Sequence, residues 1–379
     1  MPDGVIDARG AARDGARVVG VDVARGLALL GMFAAHTSGS PAFDWSEPAT
    51  WVAVADGRSS ILFAVLAGVS VALMSGRTDD RGRRVLVAGR ALVDVRMRIL
   101  VRAVIVFVIG GVLTALSSGI LVILEVYAVL FAASLLFLGW SARALLVAAL
   151  VWVVAGSVVT VLARAGIESG APAAAQSALV HFAVTGPYPA LLWIAFLLAG
   201  MGVGRLPLAS PRVATVVLVA GAALAALSYT AGARIEAASG AGLVELGGVP
   251  LDLADLATLE PHSGSPFEAT GGMGFALAVI GVCLLAARAR GAAIVLAPLA
   301  AVGAMPLTIY TAQVLAYAIA HSIMGEPPRG LVAFLAFAVP AFVIAPIWRR
   351  LVGQGPLERM LAIAASRASD ERGAAHSGW

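Results

Sequence analysis

Apolar residues in this chain come in runs of about 20, neither alternating like barrel strands nor striped like soluble helices. The first run is Val18–Thr37, VVGVDVARGLALLGMFAAHT, with ionisable groups only at Asp22, Arg25 and His36. As a helix, a run of that length crosses about 30 Å of hydrocarbon. Further runs follow at about 51–74, 99–117, 119–138, 144–162, 186–204, 213–231, 271–287, 306–323 and 331–348. Backbone groups in hydrocarbon are satisfied only within helices or closed barrels, and these runs are too long for barrel strands. The pattern predicts an all-α, polytopic transmembrane helical bundle of about ten spans. The stretch 292–323 exceeds one straight span and is interrupted by Pro298, Gly303 and Pro306. A broken or re-entrant helix at 292–304, an eleventh element, is expected before the ninth span.

Composition narrows the environment further. With 60% hydrophobic and 13% charged residues and a mean hydropathy of +0.94, an ordinary soluble domain is excluded. All 26 basic residues are arginine, and their positions matter more than the net charge of +4. Arg77, Arg81, Arg83, Arg84, Arg90, Arg96 and Arg98 crowd one loop between two spans. That places the loop on the cytoplasmic side and makes topology, not nucleic-acid binding, its explanation. With ten spans, the arginines after the other inward crossings fall on the same side. Both termini are then cytoplasmic: a tail at 1–17, a single transmembrane domain at 18–348 and a second tail at 349–379. The polar stretch 1–17 lacks a small-x-small cleavage site and does not read as a removable signal peptide. The lone Cys283 lies in an apolar run and is expected to be a packed thiol.

Polar residues at membrane depth need partners, so each is a candidate for function. Asp22 and Arg25 share a helix face; they form a local ion pair, or Arg25 meets an anionic phosphate entering from inside. His36 ends the first run near the outer leaflet, as a proton acceptor or as an interfacial polar residue. In ADGRSS, residues 55–60, Asp56 is at a depth where it could orient His36. Arg58, Ser59 and Ser60 are candidates to bind a carbonyl or an anion, or to cap a helix. Glu125 is the deepest carboxylate and calls for an arginine partner or a proton. Tyr310 and Gln313, one turn apart, are placed to line the same polar cavity. Tyr188 of GPYP, His262 and Glu268 fall at an outer mouth as candidate substrate contacts. No ordered metal spacing joins His36, His181, His262 and His321, so no metal site is expected.

Several of these segments carry a family likeness. RGLALLGMF at Arg25–Phe33, ILFAVLAGVSVAL, EVYAVLF, YPALLWIAFLLAGMGVGR, PLAAVGAMPLTIYTAQ and GQGPLERML occur in that order over residues 18–361. Together they resemble bacterial membrane proteins of the DUF418 and YeiB kind, within the heparan-alpha-glucosaminide N-acetyltransferase-like superfamily. The resemblance implies a multi-pass protein of the bacterial inner membrane. It also implies acyl transfer from cytosolic acetyl-CoA or another acyl-CoA to an extracytoplasmic sugar, glycan or glycolipid. Carried over, His36 oriented by Asp56 takes the acceptor proton, Arg58 or Ser59 stabilises the oxyanion, and Glu125 lines the cavity. Arg25, Arg90 and Arg96 hold the acyl-CoA phosphates, with Tyr310 and Gln313 along its path. Membrane lipids, the acyl donor, the glycan acceptor and a homodimer are the expected partners; nucleic acid is not. The histidine of the acetyltransferase branch lies in the outer loop, whereas the loop FDWSEPATW here has none. A transporter of a small envelope precursor and a non-catalytic membrane partner are the alternatives.

Overall fold

Long apolar runs without internal charge become helices in the computed structural model, which describes residues 18–39, 44, 46–78, 84–170, 177–239, 243–246 and 249–376. The tail 1–17, Arg81, Arg83, Trp45 and the outer-loop residues 171–176 lie outside the described residues. The first helices are α1 (Val19–Ser38), α2 (Arg58–Ser75), α3 (Arg90–Ala115), α4 (Leu124–Ser134) and α5 (Ala142–Gly170). After them come α6 (Ala178–Thr185), α7 (Ala190–Gly204), α8 (Pro211–Ser239), α9 (Leu253–Ala257) and α10 (Pro266–Ala286). The short α11 (Ala292–Val295) and α12 (Ala297–Gly303) lead to α13 (Pro306–Met324), α14 (Gly330–Leu351) and α15 (Pro356–His376). Two small antiparallel hairpins interrupt the loops, Gly76–Thr78 with Arg84–Leu86 and Leu243–Leu246 with Val249–Asp252.

Among the described residues, eight helices are long and apolar enough to cross a membrane, or nine if α6 and α7 count as one span bent by 45°. The expectation of ten full spans needs correction at 119–138. Ser117 and Gly119 take positive φ values of 50° and 81°, and the chain becomes helical only at Leu124. The resulting helix of 11 residues rises about 16 Å, roughly half a bilayer core. The bend before α7 has a plain cause as well. Pro187 and Pro189 in GPYP remove two backbone donors, so α6 cannot continue into α7. The region 292–304 forms two short helices, neither of crossing length. Residues 356–376, read from the sequence as part of a tail, are helical and return to the bundle.

α1, α2, α7 and α10 form the buried centre, while α14 and α8 present most of their surface outward. Small residues set how closely the central helices approach. A Cβ on Gly68 of α2 would sit 3.0 Å from the Gly200 Cα of α7, and the reverse holds too. At Gly200 that added carbon would also overlap the Val65 carbonyl, which is backbone and cannot rotate away. Gly26 of α1 and Gly303 of α12 meet in a similar way, pinning the short helix against the start of α1. Replacing Gly200 by Ala is expected to cost about 1–3 kcal/mol through overpacking, read as a lower thermal midpoint in detergent. Gly139→Ala, at a glycine with no heavy atom within 4 Å of the added carbon, should leave that midpoint where it is.

Candidate functional site

The polar side chains of the core gather at the two ends of one cavity. Its volume is about 420 Å³, and its walls include Met32, Phe63, Leu66, Val106, Leu124 and Phe131. At one end stand Asp22, Arg25, Ser70, Arg102 and Glu358. Arg25 donates to Asp22 at 2.6 Å and, through its other terminal nitrogen, to the Ser70 hydroxyl at 2.9 Å. The three-residue spacing legible in the sequence brings Asp22 and Arg25 to one helix face, and Ser70 approaches from α2. Arg102 sits in the electrostatic field of Arg25, Arg98 and Glu358, and its buried Nε has no hydrogen-bond partner among the described residues. Glu358 accepts from the backbone N–H groups of Leu307 at 2.7 Å and Thr308 at 3.1 Å, and from the Thr308 hydroxyl at 2.5 Å. Those are otherwise unpaired donors at the first turn of α13. The Thr308 hydroxyl in turn accepts from the Leu357 N–H at 3.1 Å. One carboxylate thereby joins the start of α15 to the start of α13.

At the other end, Tyr127 and Tyr310 line the cavity, and the Tyr127 hydroxyl donates to the Ser60 carbonyl at 2.9 Å. One helical turn beyond Met32 and Tyr310, about 6 Å of rise, stand His36 and Gln313. His36 Nδ1 lies 3.2 Å from Gln313 Oε1. With the amide oxygen as acceptor, the contact takes the tautomer that carries its hydrogen on Nδ1. Gln313 is 4% exposed.

Asp56 has a different partner from the one expected. Its carboxylate lies 3.6 Å from His262 Nε2, while His36 feels it only through space. The cause is the turn at Gly57, whose φ of 68° is costly for any residue with a Cβ. The missing side chain also admits the loop before α10: Pro261 Cβ stands 3.2 Å and Glu268 Oε1 3.6 Å from where a Cβ would be. Tyr188 meets the His262 ring edge-on, with centroids 5.2 Å apart. Glu268 is buried at 7% exposure, with the backbone N–H groups of His262 and Gly264 nearby to favour its charged form. Tyr188 and the pair His262 and Glu268, distant from each other in sequence, thus come together with Asp56.

Other sequence candidates sit elsewhere. Arg58 stacks over the Tyr229 ring at 4.9 Å and donates to its hydroxyl at 2.9 Å, on the side of α8. Ser59 spends its hydroxyl hydrogen on the Ala55 carbonyl at 2.7 Å. Arg90 and Arg96 are exposed on the first turns of α3 and do not line the cavity. Glu125 is partly buried beside Gly110 and Gly111 of α3 and lies off the cavity wall. The arginine expected for it is not there among the described residues. Instead it occupies the first turn of α4, where the helix dipole favours an anion. Arg102 and Glu358 were missed from the sequence. Arg102 stands inside an apolar run, and a charge at membrane depth was the available signal.

Residues 17–234 match the family described as heparan-alpha-glucosaminide N-acetyltransferase, catalytic. Residues 229–366 match a second family, described as a protein of unknown function, DUF418. No curated protein matches the chain.

Glu358→Ala should strip the α13 donors of their acceptor and lower stability by about 1–2 kcal/mol, the scale of a lost helix cap. Denaturation in detergent would measure it. An unchanged midpoint would mean that this contact does not hold α15 in place.

Proposed function

Since the chain belongs to the heparan-alpha-glucosaminide N-acetyltransferase catalytic family, we propose that it is a transmembrane acyltransferase. The group moved is an acetyl or other acyl group from a cytosolic acyl-CoA, and the acceptor is an extracytoplasmic sugar, glycan or glycolipid. The observation that carries this reading is the cavity itself. It has arginines at one end, apolar walls, and a histidine one turn beyond the other end. An acyl-CoA is anionic at its head and increasingly apolar toward its thioester, so its polarity runs in the same direction.

The residues present fit such a donor. Arg25 and Arg102 supply charge-assisted hydrogen bonds to phosphate, and the buried Arg102 Nε with no partner is a donor that a phosphate would satisfy. Ser70 and Asp22 hold the Arg25 guanidinium in place. Arg102 replaces Arg90 and Arg96 in this role, because only Arg102 of the three lines the cavity. Tyr310 lines the path and Gln313 orients His36 at its end. On this reading the arginine end of the cavity faces the cytoplasm by the loop charges, and Asp56, His262, Tyr188 and Glu268, which stand outside the cavity wall, face the acceptor. The thioester supplies an activated carbonyl; the chain's own contribution is to align it, exclude water and remove a proton from the acceptor.

Equilibrium binding of acetyl-CoA and longer acyl-CoAs to nanodisc-purified protein tests this. Saturable binding is expected, weakened at least 10-fold by Arg25→Ala and by Arg102→Gln and left within 2-fold by His36→Ala. Arg102→Gln keeps the Asp22–Arg25 pair and guards against misfolding as the cause. Folded protein that binds no acyl-CoA of any length would sink the transferase reading and leave passage of an envelope precursor as the better account.

A further inference from the structure

We propose that His262, in the loop before α10, is the residue that takes the acceptor's proton, with Asp56 as its positioning residue. The inference rests on the transferase reading and assigns its chemistry. Two imidazoles compete for the role, and their partners differ in kind. His36 is held by the neutral amide of Gln313, a dipole that balances a positive ring less than a full charge does. His262 has the Asp56 carboxylate 3.6 Å from Nε2. A carboxylate beside one ring nitrogen favours the hydrogen there, leaves the other nitrogen as the proton acceptor and stabilises the cation that forms.

The loop that carries His262 is fastened from several directions, as a reacting group requires. Arg164 of α5 donates to the Ser263 carbonyl and, at 2.9 Å, to the Gly186 carbonyl, tying this loop to the one bearing Tyr188. The Ser265 hydroxyl donates to the Thr258 carbonyl at 2.6 Å and accepts from the Glu268 N–H at 3.0 Å. The Glu268 carboxylate stands near the His262 and Gly264 N–H groups. His262 itself has a φ of 65°, a left-handed conformation uncommon for a residue with a Cβ. Backbone strain held by so many tethers is typical of functional positions. Here the one side chain that the tethers present to Asp56 is an imidazole.

The step balances without a further reagent. The acceptor's amine or hydroxyl attacks the thioester carbon while the free His262 nitrogen takes its proton. The new C–N or C–O bond forms, the C–S bond breaks, and the leaving thiolate receives the proton, regenerating neutral His262 and free thiol.

His262→Asn is the informative change, because asparagine tolerates positive φ and cannot serve as the base. The assay follows thiol release from acetyl-CoA with glucosamine, glucose and glycerol as acceptors, beside acetyl-CoA binding and thermal midpoint. The expected result is a fall of at least 100-fold in turnover, with donor affinity within 2-fold and the midpoint unchanged; His36→Asn should keep at least a tenth. Asp56→Asn should lower kcat at least 10-fold at unchanged KM for acetyl-CoA, with partial recovery in Asp56→Glu. Wild-type turnover that survives above one third in His262→Asn overturns the inference alone. A wild-type protein that binds no acetyl-CoA, or releases no thiol with any acceptor, overturns the transferase reading and the inference falls with it.

Discussion

A charge carried into an apolar bundle must be answered from within the protein, and that constraint arranges everything else here. Asp22 answers Arg25, with Ser70 taking a second donor. The α13 backbone answers Glu358, the start of α4 answers Glu125, and His262 answers Asp56. Leaving one such group unmatched costs several kcal/mol in hydrocarbon. Three of these pairings also fix two elements relative to each other: α1 to α2, α13 to α15, and the α2 turn to the loop before α10. Van der Waals packing fills in between, and small residues at Gly68, Gly200, Gly26 and Gly303 let it become close.

The same pairings account for the cavity. Helices drawn together at their polar ends leave a space between α1, α2, α3, α4 and α13 that no side chain fills. Its arginine end and its tyrosine-lined end differ in polarity because the partners at each end differ. A single donor molecule with a charged head and an apolar tail suits such a gradient better than a freely hydrated solute does. A solute carried through would need polar partners along the whole path, and the walls between Leu66 and Phe131 offer few.

Much of the fold was legible in the chain because hydrophobic run length is a local property. α1 and α14 begin and end close to where the apolar runs do, and α3 and α10 end close to theirs. The failures came where length alone misleads. The run 119–138 is apolar throughout its second half, yet Gly119 and the positive φ at Ser117 delay the helix until only a half-span remains. α15 was hidden because its mean polarity resembles that of a tail, and its burial depends on Glu358 reaching the α13 start. Within the site, Asp22 with Arg25 was readable from a spacing of three. The contact between Asp56 and His262 was not, since no local pattern joins residues so distant. ADGRSS was legible as a polar cluster, but Gly57 within it was not legible as the gap that admits Pro261.

The fastening of α15 onto α13 also has a meaning for biosynthesis. Leu361, Ala362 and Glu358 are part of the cavity wall, and all three emerge late from the ribosome. A nascent chain halted after α14 would already hold its long hydrophobic helices, yet it would lack that part of the cavity wall. Insertion into the bilayer and assembly of the cavity are thus separate events in time. The second waits for one glutamate to dock against a helix translated about 50 residues earlier.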